Sequence, residues 1–553
     1  MGSSPFARTI STMKISKTFL KKALLCLVIV VAFFAVCDLV LSRVAASQLR
    51  TALANVPGVQ IEFKRVNLAL LSGNLEVRGV DITLQDSTKL GPELEGHIEA
   101  IKLQNLCLFS LLKGEAHARR LLIRGPQAKL VLPSVKASKA KKAKKAKKAE
   151  KPDTAKASSD SSFLKKVSLS EIRLENGSID LSRRKNPMKV HARNLTLSVR
   201  DLGFLLAENQ VEYNDSCYCV SVDSLDFTDE MGLTRYQIGH LATANAGPVE
   251  ALALHLYNCV AKEEVAERMG KVSAVWFDAK LDSLQTSAIN IPRIAKEQKV
   301  DIESIRLSGP DIVLLQDDRY PPAVPYPTFQ EGLNTVKMPI KIQQINAHVE
   351  KFTFMWETTH INRGTFPLHK LSVNVNSASN APGNTMTLNI KSGEKASSHM
   401  QLSLSVKNDK AESTQGKLQV YQLDGDRLDP FIRPLFGATI QADIHQIDSN
   451  FKGDKTKMTG EFCMLYDGLK LKAWNDKTAP YQIIAQNSGF ITFLANIIAP
   501  DANPSAPGKE PKRVELAFQR DPMVPYPAYI IQSLTNGMLK TVLPGGAVHK
   551  TKK

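Results

Sequence analysis

Apolar and polar residues alternate with a period of two over much of this chain, which is the pattern of β-strands that bury one face. The clearest apolar positions in this pattern are Leu75, Val77, Ile172, Leu174, Ile305, Leu307, Phe352, Phe354, Leu402 and Leu404. Helical periodicity is confined to four short stretches, residues 45–55, 260–269, 489–498 and 528–542. The chain is therefore predicted to be mainly β.

Residues typical of turns interrupt several of the alternating stretches. Asn176-Gly177 and Asp467-Gly468 each separate two apolar runs, and residues 308–311 (Ser-Gly-Pro-Asp) separate another two. Such dipeptides favour hairpin turns, so we predict a repeating unit of strand, short turn and strand. At Gly79 the apolar positions change parity, as a β-bulge would produce.

Two architectures fit this repetition over 553 residues. One is an elongated, curved antiparallel sheet with one apolar face, forming a groove. The other is a set of two or three β-sandwiches, whose strands alternate in the same way. Alternation alone does not separate them, but clear linkers are absent outside residues 134–162, which favours one continuous body.

A membrane anchor is expected near the N-terminus. Ala23–Leu41 contains fifteen uncharged residues and then Asp38, and its nineteen residues span about 28 Å as a helix, enough to cross a bilayer. The basic residues lie before it, so the positive-inside rule places the N-terminus in the cytoplasm and exports the rest. A cleavable signal peptide with a weak cleavage site at residues 44–46 is the alternative.

The formal net charge of +18 is concentrated in three segments. Residues 1–22 carry +5, residues 136–156 carry +8 and the last four residues carry +3, which leaves the rest near neutral. Nucleic-acid binding is therefore not expected. The Lys/Ala-rich segment is predicted to be a solvated insertion, although its lysines would also suit anionic headgroups.

Motifs for catalysis are missing from the sequence, which holds no G-x-S-x-G, H-E-x-x-H, Walker or G-x-G-x-x-G pattern. Cys217, Cys219, His255 and Cys259 have irregular spacing for a zinc site. A single disulfide from Cys259 to Cys217 or Cys219 is left open. Asp424, with the acids that follow it, only superficially resembles a calcium loop. We therefore expect no enzyme, metal or cofactor.

The sequence resembles the AsmA-like family of Gram-negative envelope proteins, which is related to TamB-type and bridge-like lipid-transfer proteins. The resemblance covers most of the chain after residue 13. It rests on the anchor and on the segments Val66–Leu84, Ile305–Pro321, Met338–Glu350, Leu428–Pro430, Pro434–Ile440, Phe451–Gly453, Gly460–Lys472, Phe493–Asn496 and Arg513–Pro522. The Lys/Ala-rich insertion departs from the family pattern.

This resemblance implies an inner-membrane protein whose periplasmic β-groove binds phospholipids and passively transfers them for outer-membrane biogenesis. The ten apolar residues above are its candidate groove lining. The alternative is a non-enzymatic scaffold that regulates outer-membrane protein insertion and contacts the assembly components. The expected parts are a cytoplasmic N-terminus (1–22), an anchor (23–41), groove segments (42–133 and 163–415), the insertion (134–162), a C-terminal AsmA-like region (416–543) and a basic tail (544–553).

Overall fold

The computed structural model describes residues 40, 42–47, 49–50, 59–69, 72–84, 92–107, 110, 115–134, 166–205, 210–213, 218–358, 364–393, 398–430, 433, 438–473 and 500–542. These residues form 21 strands and a few short helices, so the mainly β prediction is confirmed. The chain divides into two compact units. The first unit comprises Met1–Ser178 and Thr196–Asn214, and the second comprises Ile179–Leu195 and Asp215–Lys553.

The first unit is built on four strands that pair antiparallel in chain order. They are β1 (Val59–Ala69), β2 (Asn74–Leu84), β3 (Glu93–Gln104) and β4 (Glu115–Leu132). The unit boundaries fall inside β5 (Lys166–Arg183) and β6 (Asn186–Leu205). The end of β6 pairs with β7 (Gln210–Tyr213).

The second unit contains a run of twelve strands, β10 to β21, in which each strand pairs with its neighbours in the sequence. Its strands are β8 (Tyr218–Val222), β9 (Ser224–Thr228), β10 (Thr234–Ala244), β11 (Pro248–Asn258), β12 (Ala274–Ala288), β13 (Val300–Asp318), β14 (Ile340–Thr358), β15 (Gly364–Ser379), β16 (Thr385–Gly393), β17 (His399–Lys407), β18 (Thr414–Asp424), β19 (Ala438–Gly453), β20 (Lys457–Ala473) and β21 (Arg513–Gln519). The pair β13/β14 is parallel, so the sheet is mixed and the expectation of a wholly antiparallel sheet is wrong.

Helices connect or cover the strands. They are α1 (Val265–Arg268), α2 (Ile291–Glu297), α3 (Phe329–Asn334) and α4 (Tyr526–Val542), with a 3-10 helix at Gly425–Leu428 and further helical residues at 42–47 and 49–50. Thr328 and Glu331 form a capping box that begins α3. In the part of the chain that the structure describes, no helix is both long and apolar enough to cross a membrane.

Several expected segments lie outside the described residues. These are the basic N-terminus, the anchor except for Val40, the insertion after Ser134, the helix at 489–498 and the basic tail. The predicted helix at 528–542 is confirmed as the main part of α4.

The hairpins predicted at Asn176-Gly177, at 308–311 and at Asp467-Gly468 are wrong, because one strand continues through each of them. Asn176 and Gly468 have positive φ angles of 54° and 63°. Asparagine and glycine tolerate the left-handed region whether or not the chain reverses, so the same residues serve as kinks inside long strands.

The parity change at Gly79 occurs without a change of register. Gly79 has φ of 59°, and β1 and β2 keep one register on both sides of it, with Lys64 on β1 as its unpaired neighbour. Val77 and Val80 consequently belong to the same buried cluster. The kink therefore keeps one side of the strand apolar along its whole length.

Candidate functional site

In the first unit, the antiparallel register places apolar side chains opposite one another in rows across β1, β2, β3 and β4. Four such rows are Leu68–Leu75–Leu103–Leu121, Val66–Val77–Ile101–Ile123, Phe63–Val80–Ile98–Pro126 and Ile61–Ile82–Gly96–Ala128. The kink at Gly79 brings both pairs of rows to one side, because Phe63, Val66, Val77 and Val80 form a single buried cluster against which Ile61, Leu75, Ile82, Ile98 and Ile101 pack. The first unit thus has a continuous apolar side.

Charged residues occupy the other side of the first unit. Glu76 on β2 accepts a hydrogen bond from Arg78 at 3.1 Å and forms ion pairs with Arg78 at 2.9 Å and Lys102 at 3.0 Å. The hydrogen bond from Arg78, reinforced by Lys102, holds the pKa of Glu76 below its usual range despite partial burial. Glu171 accepts from Arg120 at 2.6 Å across two strands. Such pairs suit a solvated surface.

The helical residues 42–47 and 49–50 lie against the apolar side of the first unit. Ala45, Ala46 and Leu49 pack on the cluster that contains Phe63 and Val80. The Ser42 hydroxyl accepts a hydrogen bond from the backbone N–H of Leu68 at 2.8 Å. This contact fixes the segment that follows the expected anchor directly on the apolar rows of β1 and β2.

In the second unit, one apolar row crosses all twelve strands from β10 to β21. This "apolar row" consists of Leu241, Ala251, Leu284, Leu307, Ala347, Val373, Ile390, Leu402, Leu418, Ser449, Phe462 and Val514. Only Ser449 departs from the apolar pattern, and its hydroxyl donates to the carbonyl of Glu461.

The adjacent residue on each strand forms a "polar row" on the opposite side of the sheet. It consists of Ala242, Glu250, Gln285, Arg306, Asn346, Asn374, Asn389, Ser403, Lys417, Asn450, Glu461 and Glu515. Side-chain hydrogen bonds link some neighbours, such as Asn374 to Asn346 at 2.5 Å. The second unit is therefore apolar on one side and polar on the other.

The apolar side of β10 to β13, named here the open face, carries the half-buried Leu256, Leu284 and Leu307 beside the buried Leu254. No buried cluster formed by the described residues includes Leu256, Leu284 or Leu307. The residues that form this surface are uncharged, and they include Tyr236, Ile238, Leu241, Leu254, Leu256, Ala279, Leu281, Leu284, Ile305, Leu307, Ile312 and Leu314. The charged residue on this side is Asp318 at the C-terminal end of β13, where it accepts hydrogen bonds from Tyr326 and Trp356. The open face can therefore contact an apolar ligand without burying a charge.

The apolar side of β18 to β21, named the covered face, is closed by α4. Phe462 and Tyr529 are each 1% exposed and Leu516 is 0% exposed in the core between sheet and helix. A Cβ at Gly537 would lie 2.7 Å from the Phe462 ring, so the glycine lets α4 approach the sheet closely. Lys512 donates to the carbonyls of Lys540 and Thr541, both at 2.9 Å, and so caps the end of α4.

Four of the ten predicted lining residues fall in β2 and β5. Leu75 and Val77 lie in the apolar rows of the first unit. Ile172 and Leu174 alternate along β5 with Glu171, which pairs with Arg120 on the charged side. Because neighbouring residues on a strand face opposite ways, Ile172 and Leu174 point away from the charged side.

The other six lie on the apolar side of the second unit: Ile305, Leu307, Phe352, Phe354, Leu402 and Leu404. Their surroundings differ. Leu404 is 3% exposed and belongs to the large core under α4, against which Phe354 and Leu402 also pack. Ile305 and Leu307 lie on the open face.

Sequence reasoning missed most of the open face on β10 to β12, such as Ile238, Leu254 and Leu284. The signal was available in the alternation of Leu254 and Leu256 with His255 and Tyr257. A kink at Ala253, with φ of 52°, changes the parity there and shortens the visible pattern.

The cysteines and the histidine considered for a disulfide or a zinc site do not come together in the described residues. Cys219 and Cys259 are free thiols, so the disulfide considered for Cys259 is not formed. Cys217 lies outside the described residues. His255 pairs with Asp278 at 2.7 Å, and no cluster of three metal-ligating side chains occurs among the described residues.

Comparison with known proteins found no matching family model and no match among curated protein sequences.

Proposed function

We propose that this chain is an inner-membrane-anchored periplasmic protein that binds phospholipid acyl chains on its apolar sheet surface and passively transfers them for outer-membrane biogenesis. The observation that carries the proposal is the apolar row of the second unit, which crosses twelve strands beside a polar row on the opposite side. The resemblance of the sequence to AsmA-like proteins points the same way.

Acyl chains match this surface in chemistry. Contact between an acyl chain and apolar side chains contributes roughly 25 cal/mol per Å² of surface removed from water. Strands spaced about 4.8 Å apart let four strands contact some 14 Å of chain. The charged headgroup stays in water, since the open face offers it no partner. Transfer is passive because the sequence contains no nucleotide-binding motif.

The test is lipid extraction and mass spectrometry of the full chain, purified without detergent after mild extraction into a membrane-mimetic polymer and washing. We expect phospholipid in excess of the amount held by a control single-pass protein prepared in the same way. Leu307→Asp places a charge on the open face and should reduce the bound lipid severalfold. Arg306→Asp, the neighbouring residue in the polar row, is the matched control and should leave it unchanged.

Equal lipid binding by the two variants, both folded, would contradict the proposal. If Leu307→Asp also leaves outer-membrane protein insertion and lipid balance intact in cells, the scaffold alternative is favoured instead.

A further inference from the structure

The parallel pairing of β13 and β14 requires a connection that returns along the full length of the strands. Parallel neighbours cannot be joined by a tight turn, so the chain must cross one face of the sheet. Residues 319–339, named here the crossover strap, make this connection. Contacts of Tyr326 and of α3 show that the middle of the strap lies on the apolar side.

Tyr326, near the middle of the strap, is held by a polar network on β13. Gln316 pairs in register with Trp356 on the apolar side, and its amide donates to the Tyr326 hydroxyl at 2.8 Å. The Tyr326 hydroxyl donates to Asp318 at 3.0 Å, and Trp356 donates to the same carboxylate at 2.8 Å. Burial raises the pKa of Tyr326, so this hydroxyl stays protonated.

The middle of the strap is fixed to the C-terminal region of the second unit. The backbone N–H of Tyr326 donates to the carbonyl of Pro522 at 2.9 Å, and Arg520 donates to the carbonyl of Tyr326 at 2.6 Å. Thr328 donates to Glu412, and both residues are at least nine-tenths buried. The strap is thereby hydrogen-bonded both to the loop before α4 and to the loop before β18.

At its end, α3 packs onto the apolar side of β14 to β17. Phe329 and Leu333 contact the cluster formed by Ala378, Met386 and Val406. Gln330 is fully buried and donates to the carbonyl of Ser379 at 3.1 Å. The strap thus lies between the open face and the covered face, and its contacts are too close-packed to admit an acyl chain.

We infer that the crossover strap is the end stop of the acyl-binding surface in the second unit. Acyl chains bind across β10 to β13 and do not continue beneath the strap to β18–β21. This inference rests on the proposed function and narrows it, because it assigns lipid contact to the open face alone. Leu404, a predicted lining residue, then packs in the hydrophobic core and does not contact the lipid.

The experiment maps lipid contacts on the full chain by photo-crosslinking. Phosphatidylcholine vesicles doped with a phosphatidylcholine that carries a diazirine on its acyl chain are incubated with the protein, and crosslinked peptides are identified by mass spectrometry. We expect crosslinks in the peptides of β10 to β13, suppressed by unlabelled vesicles. Crosslinks in β18 to β21 should be about tenfold weaker, since a close-packed interior leaves no room for the probe.

Phe329→Ala loosens α3 and should extend the crosslinks to β15 and β16 around Val373 and Ile390. Tyr326→Phe, which removes only the hydroxyl, is a second variant that tests the stop if Phe329→Ala does not fold. Val324→Ser is the matched control, because Val324 lies in the strap but is 68% exposed. It should leave the crosslinking pattern unchanged.

Equal labelling of the open and covered faces in the unaltered protein would overturn the stop while leaving lipid binding intact. The same holds if a folded Phe329→Ala or Tyr326→Phe variant shows the original pattern. Absence of specific labelling anywhere on the folded protein would overturn the proposed function together with the stop.

Discussion

Leu284 and Phe462 occupy the same apolar row of the second unit, on β12 and β20, yet their environments are opposite. Leu284 is half-buried on the open face and belongs to no buried cluster among the described residues, whereas Phe462 is 1% exposed under α4. Strand register places both side chains on one side of the sheet. What covers that side decides whether a position supplies stability or a surface for a ligand.

The two regions also differ in how their strands accommodate the cover. On the covered face, Gly416 and Gly460 leave room for large neighbours, and the ring of Phe451 lies over Gly416. On the open face the same side is filled mainly by leucines of similar size. Gly416 and Gly460 therefore mark two places where the covered face packs Phe451 closely.

The largest expected effect is a loss of stability from Phe462→Ala. Removing a fully buried ring from a close-packed core costs about 3–5 kcal/mol of unfolding free energy. Leu284→Ala on the open face should cost only about 1–2 kcal/mol, because the side chain is already partly in water. Trp276 and Trp356 belong to the second unit, so urea unfolding followed by tryptophan fluorescence measures both variants.

Comparable losses for Phe462→Ala and Leu284→Ala would contradict the division into covered and open faces. That outcome would mean that the open face is packed in solution by a part of the chain outside the described residues.

A smaller effect is expected at Gly416. An added Cβ would lie 2.1 Å from the Phe451 ring and 2.8 Å from Leu404, so Gly416→Ala should destabilise the second unit by about 1–3 kcal/mol. Phe451→Leu shortens the opposing side chain, and the double variant should lose less than the sum of the two single losses. Unfolding in urea is again the measurement.

Gly332 provides the matched glycine control. It lies in α3, and no atom of the described residues comes within 4 Å of the position that an added Cβ would take. Gly332→Ala should therefore be neutral or stabilising by up to about 1 kcal/mol, because alanine favours helices. A loss as large as that of Gly416→Ala would show that the strap is packed differently.

The strands and their apolar side were predictable from the sequence because each depends on a local period of two. All ten predicted lining residues lie on strands. Only Val77 and Leu404 are buried members of a hydrophobic cluster, and the other eight are not. The hairpins were not predictable in this way. Asn176 and Gly468 supply positive φ angles, but whether a chain then reverses depends on the strands available for pairing.

The difference between the open and covered faces could not be predicted from the sequence either. The helix at 528–542 was predicted, yet its contact with Phe462 and Leu516 depends on residues far apart in the chain. The parallel pair β13/β14, which generates the strap, is likewise a long-range choice. Leu402 and Leu307 lie in similar alternating segments of the sequence, and only these long-range contacts make their surroundings different.

The smallest expected effects are two pH dependences of opposite sign. Burial raises the pKa of Glu412, which lies under the strap, above its ordinary value. Its neutral form therefore favours the fold, and this stability is present below about pH 4.5 and is lost as the pH rises through the folded pKa. Gln is neutral at every pH. The unfolding free energy of the Glu412→Gln variant should therefore fall less than that of the unaltered protein as the pH rises.

Asp226, on β9 beside the open strands, should behave in the reverse manner. The hydrogen bond from Arg235 lowers its pKa, so its contribution is present above about pH 3.8 and is lost as the pH falls through the folded pKa. Asp226→Asn should be less stable than the unaltered protein near neutral pH, by about 1 kcal/mol or less, since the pair is partly exposed. The deficit should vanish in acid. Urea unfolding between about pH 3 and pH 8 measures both variants. If the difference in unfolding free energy from the unaltered protein changes with pH in the same direction for both variants, Glu412 is solvated and the strap does not cover it.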